Sequence, residues 1–270
     1  MTRINFVRLF LAIVLASLHS LTGTTGEMNE EALNRELDRH RRRMNAVSDK
    51  IVTAYIEENT PGRGLERARL LLVVGSLYQM GQLGMNGPNP VRAAEYFRQA
   101  ADMGLPEAHA AIGHLYNHGA ESEAGTIEMD PERARSHYEI AAKGGSSRAM
   151  YELGLIYAEG KHVDPDTKKA LEYFVDSAKR GDGAAIERLE PVMLRAREWE
   201  AAKPGRKANF PTSRNEIMDK DLVQRNIDMN FEMEQLAIKT NADIGRRLAL
   251  AMKGVLENSG GVIHLDKLDR

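Results

Sequence analysis

Apolar and polar positions through the middle of the chain recur in two interlocked blocks. The first reads Gly75-Ser76-Leu77-Tyr78-Gln79-Met80-Gly81 and returns as Gly113-His114-Leu115-Tyr116-Asn117-His118-Gly119 and as Gly154-Leu155-Ile156-Tyr157-Ala158-Glu159-Gly160. The second keeps step with it: Ala93-Ala94-Glu95-Tyr96-Phe97 on to Gly104, Ala134 through Tyr138 to Gly145, and Ala170 through Tyr173-Phe174 to Gly181. The spacing is about 36 to 41 residues. A period of that length marks an array of supersecondary units, each of which buries its apolar face only against its neighbours.

Both blocks predict helices. In the second, Asn89, Asp130 and Asp166 stand at the N-cap four residues before Ala93, Ala134 and Ala170. Pro90 and Pro131 take the first helical position, and Gly104, Gly145 and Gly181 sit where a left-handed residue ends the helix. In the first block, Gly75, Gly113 and Gly154 share one phase. A glycine inside a helix costs about 1 kcal/mol relative to alanine, so the repetition predicts a neighbouring helix that crosses too closely for a Cβ. Tyr78, Tyr116 and Tyr157, three residues further along the same face, are expected to fill the space between helices.

The flanks are helical too. Leu33, Leu37, Met44, Val47, Ile51 and Tyr55 fall at helical spacing between Glu27 and Asn59 and predict a helix docking on the first repeat, closed by the break Thr60-Pro61-Gly62-Arg63-Gly64. The basic run Arg39-His40-Arg41-Arg42-Arg43 adjoins Glu36 and Asp38 and reads as a solvated face. Ala184 to Ala202 predicts a capping helix that hides the open end of the last repeat, interrupted at Pro191. After a linker from Lys203 to Pro211, Ser213 and Glu216 form a capping-box signature ahead of a helix to about Thr240, and Ile244 to Leu256 predicts another ending at Ser259-Gly260-Gly261. Met229, Phe231 and Met233 alternate in a way that helical periodicity does not fit. The plan is therefore residues 1–26 as a targeting segment, 27–66 as N-terminal helix and linker, and 67–189 as three repeats with the start of the cap. Residues 190–213 are the end of the cap and a linker, and 214–270 a C-terminal helical segment.

Residues 1–26 contain no acid, carry Arg3 and Arg8 ahead of the apolar run Leu9 to Ala16, and turn to Ser, Thr and Gly. That order is the order of a secretory signal peptide, and an apolar core of about a dozen residues is short of the roughly 20 that span a bilayer. It predicts export, to a periplasm or outside the cell; an endoplasmic reticulum lumen or a mitochondrion are the alternatives. Composition narrows the chemistry. The 270 residues include no cysteine, and 37 Lys+Arg stand against 39 Asp+Glu for a formal net charge of −2. Disulfide scaffolds, Cys-ligated metals and thiol nucleophiles are excluded, and a polybasic nucleic-acid binder is not expected.

The pattern L/V/I-G-x-x-Y-x-x-G followed by D/N-x-x-x-A-x-x-Y/H-F/Y-x-x-A-A-x-x-G, over roughly residues 68 to 189, resembles the Sel-one-like repeat family, a cousin of the tetratricopeptide repeat. The resemblance implies an all-α, right-handed helical-hairpin solenoid with flanking capping helices, acting as a non-catalytic adaptor for protein or peptide partners. Two departures stand out. The family's short connector is broken at Gly81-Gln82-Leu83-Gly84-Met85-Asn86-Gly87-Pro88 and stretched into a long acidic loop from Gly119 to Asp130, and the disulfide-rich branch is disfavoured by the absence of cysteine.

No nucleophile elbow, phosphate-binding glycine loop or Ser/His/Asp order is present, so no catalytic residue and no cofactor is assigned. His114 and His118, at i and i+4 beside Glu121 and Glu123, have a spacing at which two imidazoles can share one ion. Their counterparts, Ser76 and Met80, then Leu155 and Glu159, mark tolerant outward positions, and no metal site is assigned there. By analogy with tetratricopeptide hairpins, the concave groove is lined from the first helix of each repeat by Arg69, Leu72, Ser76 and Gln79, by Glu107, Ala110, His114 and Asn117, and by Arg148, Tyr151, Leu155 and Ala158. Arg69 and Arg148 are placed to meet carboxylates. The expected function is an exported scaffold in an envelope or secretory assembly, touching membranes only through a partner. A periplasmic cell-wall or glycan binder is the alternative, for which Tyr151 is the one groove aromatic, and a metal-dependent activity at His114 and His118 stands behind it.

Overall fold

The computed structural model describes residues 30–258 apart from residues 63, 84–86, 161 and 204. The targeting segment and the Ser259-Gly260-Gly261 stop lie outside the described residues. The chain divides into two compact units. One comprises residues through Ala93, the short stretch Ser122–Gly125 and residues from Leu236 on; the other comprises Ala94–Glu121 and Thr126–Gln235.

In the first unit, helix α1 (Glu30–Asn59) buries Ser48, Val52, Tyr55 and Ile56, an i, i+4, i+7, i+8 stripe. Val47 and Ile51, expected on this face, flank it half-buried, whereas the side chains of Leu33, Leu37 and Met44 are outside the described set. Helix α1 docks on α2 (Leu65–Gln79), as the sequence predicts. The Tyr78 hydroxyl donates to Asp49 Oδ1 at 3.1 Å, and Ser48 Oγ donates to the Leu83 carbonyl at 3.2 Å. Helix α2 is buried at Ala68, at every position from Leu70 to Gly75, and at Leu77 and Tyr78, which makes it a core helix rather than an amphipathic one. On the other side α1 meets the chain's last described helix: the Tyr55 hydroxyl donates to Asp243 Oδ2 at 3.3 Å, and Arg247 lies over the Tyr55 ring and donates to Glu58 Oε2 at 2.7 Å.

The second unit follows α3 (Pro90–Asp102) with α4 (Pro106–His118), α5 (Pro131–Lys143), α6 (Ser147–Glu159), α7 (Thr167–Lys179) and α8 (Gly183–Ala202). Helix α4 packs on α5, α5 on α6, α6 on α7 and α7 on α8, the stacking of helical hairpins in chain order. The expected caps are present: Asp130 and Asp166 accept from the Arg133 and Lys169 amides at 3.0 and 2.9 Å. Gly145 and Gly181, at φ 97° and 83°, take the left-handed turn that any side chain would strain. Two of the three mid-helix glycines, Gly113 and Gly154, also have the predicted reason. A Cβ on Gly113 would lie 2.8 Å from the Tyr138 ring, and one on Gly154 would lie 2.5 Å from the Phe174 ring. The close neighbour is an aromatic side chain of the second helix. Tyr78 and Tyr157 are buried as expected, and Tyr116 is half-buried.

All three connectors end alike. The cap residue's amide returns to the carbonyl of the repeat tyrosine: Asn89 to Tyr78 at 2.9 Å, Asp130 to Tyr116 at 2.8 Å and Asp166 to Tyr157 at 2.9 Å. Between the pinned ends of the second connector, the expected acidic loop is a small hairpin, β1 (Ala120–Ser122) paired with β2 (Gly125–Ile127).

Four expectations at the C-terminal side need correction. Pro191 does not interrupt α8, which runs through it from Gly183 to Ala202. Ile186 and Leu189 before the proline and Met193 and Ala196 after it are all buried, and that packing outweighs one missing amide. Nor does the Ser213 signature start a long helix. Glu216 accepts from the Thr212 amide at 2.7 Å instead, closing a single turn, α9 (Arg214–Ile217). Asp219 then accepts from the amides of Asp221 and Leu222 and starts one 39-residue helix, α10 (Lys220–Asn258), where the sequence suggested a break near residue 240. The start of α10 closes on the end of α7, with the Asp219 amide donating to the Lys179 carbonyl at 3.0 Å and Asn226 Nδ2 to the Arg180 carbonyl at 3.1 Å. Met229 and Met233 turn inward on α10 and Phe231 is 62% exposed, so the alternation is helical after all.

Candidate binding groove

The proposed lining residues fall into two sets, one in each unit. On α2, Arg69, Ser76 and Gln79 are half-buried, and the Ser76 hydroxyl donates to the Leu72 carbonyl at 3.0 Å. Leu72 belongs to the buried core, which removes it as a contact for a partner; the apolar surroundings of α2 take it inward. In the second unit α4 and α6, the first helices of two consecutive repeats, lie against each other. Glu107, His114 and Asn117 on α4 and Tyr151 and Leu155 on α6 are half-buried, Ala110 is buried, and Arg148 and Ala158 are exposed. Tyr151 packs its ring against Phe174 at 5.9 Å rather than standing clear.

The polar side chains between these two helices form a cluster. The carboxylate of Glu152, buried at 7% exposure, accepts from Arg148 Nε at 2.8 Å one turn away. His114 stands within reach of both charges and against the His118 ring, 4.3 Å between centroids. Burial holds the His114 pKa below its ordinary value, with His118 and Arg148 acting in the same sense and Glu152 opposing them. The Tyr138 hydroxyl of α5 is fully buried and without a hydrogen-bond partner among the described residues; burial raises its pKa, and the charge of Glu152 raises it further. Among the described residues no group of three or more His, Asp or Glu side chains is arranged to hold a metal ion, and His114 and His118 do not gain a third ligand.

Sequence reasoning passed over Glu152 and the Tyr138 hydroxyl, although a signal was there. Glu152 occupies a phase filled by Val73 and Ala111 in the other copies, and Tyr138 a phase filled by Phe97 and Phe174. Two further features were missed. His137, at the phase of Tyr96 and Tyr173, brings its Nδ1 to 3.1 Å from His109 Nδ1 and stacks on Tyr116. The basic residue three after each cap aspartate covers the repeat tyrosine: Arg133 lies 5.6 Å from the Tyr116 ring centre, and Lys169 lies 4.0 Å from that of Tyr157 while donating to its hydroxyl at 2.7 Å.

Hairpins stacked in order, with glycine against aromatic where Gly113 meets Tyr138 and Gly154 meets Phe174, define an α-solenoid of tetratricopeptide-like units. The Sel1 repeat family model matches residues 72–105, 106–146 and 147–182, so the middle of the chain is a run of three Sel1 repeats. Such repeats typically serve as non-catalytic scaffolds for protein–protein interaction. The chain is 32% identical over 108 residues to the DAP3-binding cell death enhancer 1 of Rattus norvegicus, a match covering 40% of this chain and 20% of that protein. It is 27% identical over 119 residues to the alginate biosynthesis protein AlgK of Pseudomonas syringae pv. tomato, covering 44% and 24%. A crystal structure of a Sel1 repeat protein from Oxalobacter formigenes aligns with 27% identity and a TM-score of 0.42, covering 52% of this chain and 97% of that one. The chain spans about a fifth of the length of the curated relatives it matches. No helix among the described residues is long and apolar enough to cross a membrane.

Proposed function

We propose that this protein is a non-catalytic adaptor, exported from the cytoplasm, that holds a protein or peptide component of an envelope or secretory assembly against the first helices of its repeats. The observation that carries this reading is the mixed surface of α4 and α6, where Glu107, His114, Asn117, Arg148, Tyr151 and Leu155 keep part or all of their side chains accessible. On α2, Arg69, Ser76 and Gln79 extend the same role in the first unit. A rat relative named for binding another protein supports a partner, and a bacterial relative named for alginate biosynthesis supports an envelope setting. Export rests on residues 1–26. The glycan alternative gains nothing, because Tyr151 leans on Phe174.

The test is crosslinking and co-purification from the native organism. A defined protein captured by the wild type and lost from His114→Ala/Asn117→Ala/Leu155→Ala, with helical circular dichroism retained, supports the groove; unchanged capture rejects it. Export is read separately, from the N-terminus of the mature protein by mass spectrometry: an intact Met1 rejects it.

A further inference from the structure

Arg148 and Glu152 form more than a surface ion pair. The arginine side chain is 63% exposed and its carboxylate partner 9%, so the cation faces solvent while the acid lies beneath it. Only Nε is engaged; the two terminal nitrogens make no hydrogen bond with the described residues. A guanidinium tethered through Nε presents its Nη1/Nη2 edge as a fixed fork, the geometry that takes a carboxylate through two parallel hydrogen bonds. The tether is costly, since a carboxylate buried at a phase that is Val73 and Ala111 elsewhere loses its hydration unless its partner compensates. On α5 the Tyr138 hydroxyl, at a phase that is Phe97 and Phe174 elsewhere, is buried without a hydrogen-bond partner among the described residues. Two polar departures from an apolar consensus within one chain, at neighbouring helices of the same repeat junction, are the mark of a place kept for recognition rather than packing.

We infer that Arg148, held by Glu152, is the recognition point for an acidic side chain of an extended peptide lying across α4 and α6. The inference rests on the adaptor reading and names the chemistry of its partner. Arg148 touches the ligand, and Glu152 is a positioning residue.

The probe is a terminally blocked peptide carrying several glutamates, titrated into the full chain and followed by NMR, with a glutamine peptide as its control. The glutamate peptide is expected to bind at least tenfold more tightly than its control and to move the Arg148 Nε–H resonance. Arg148→Gln should lose that tenfold, and Arg148→Lys, which keeps the charge but not the fork, at least about threefold. Glu152→Gln and Glu152→Leu both remove the neighbouring negative charge, but only glutamine keeps an acceptor for Nε, so Glu152→Leu should bind about threefold or more weakly than Glu152→Gln. The inference is overturned if the glutamine peptide binds equally, if Arg148→Gln changes nothing, or if the two Glu152 variants bind alike. It is also overturned if only a free C-terminal carboxylate is bound, or if the glutamate peptide does not bind at millimolar concentration. Should the crosslinked partner still depend on His114, Asn117 and Leu155 in any of those cases, the adaptor reading stands and this one falls.

Discussion

At the residue scale the repeat is governed by what a missing or added atom does at one crossing. Gly113→Ala and Gly154→Ala each drive a methyl against a ring that has little room to move, and each should destabilise by about 1–3 kcal/mol in denaturant titrations. Tyr138→Phe removes a hydroxyl that is buried without a partner, and should stabilise by about 1 kcal/mol; a loss of stability instead would mean that a water satisfies it. The half-buried histidines set a pH dependence. His109, His114 and His137 are all held below the ordinary value of 6.5, chiefly by burial, with Asp102 opposing the effect at His109 and Arg133 and Arg98 adding to it at His137. The unfolded chain therefore binds more protons than the folded one near pH 6, so stability is complete above about pH 6.5 and declines as pH falls below it. Thermal melts at pH 7.5 and 5.5 should show the drop, and His137→Tyr, which restores the residue type of Tyr96 and Tyr173, should reduce it. The glycines were readable because they recur at one phase with a known cost. The polar cluster left a fainter trace, one copy departing from Val73 and Ala111 at Glu152 and from Phe97 and Phe174 at Tyr138, and without depth such a departure reads as ordinary surface variation.

At the scale of elements, helix limits in the repeats were legible from their caps, and those outside the repeats were not. Asp130 and Asp166 act locally, through an amide three residues away, and the chain around them does not change the result. Pro191 is local too, but its cost of about 3 kcal/mol in a free helix competes here with four buried side chains on one stripe of α8. Pro191→Ala should restore the amide without disturbing that stripe, and a gain of roughly 1–3 kcal/mol in unfolding free energy is expected. The Ser213 signature failed for a related reason, since Glu216 had a competing donor at Thr212 and Asp219 offered a better start for α10. Connector length matters less than its ends. Because the same amide-to-tyrosine carbonyl bond closes all three, the second repeat accommodates a β-hairpin where the third has a short turn, as the weak dependence of closure entropy on loop length allows.

At the scale of the whole molecule the first unit is assembled from sequence-distant pieces. Helix α1 is held at Tyr55 and Glu58 by Asp243 and Arg247, nearly the full length of the described chain away. A chain ending at residue 235 should keep the helical signature of residues 94–235, lower the melting temperature and expose Tyr55 and its apolar neighbours to a dye such as ANS; an unchanged melt would show that α1 and α2 stand without the last helix. Nothing in the sequence announced this closure, because the periodicity that betrays a solenoid concerns neighbours only. It bears on the order of events during synthesis. As the chain leaves the ribosome, Val52, Tyr55 and Ile56 emerge long before residues 236–258 exist to complete their surroundings, while residues 94–235 are already complete and free to fold. Helix α1 is thus made before the repeats and finished after them, and for as long as translation of the repeats takes, its apolar stripe is a natural substrate for a chaperone.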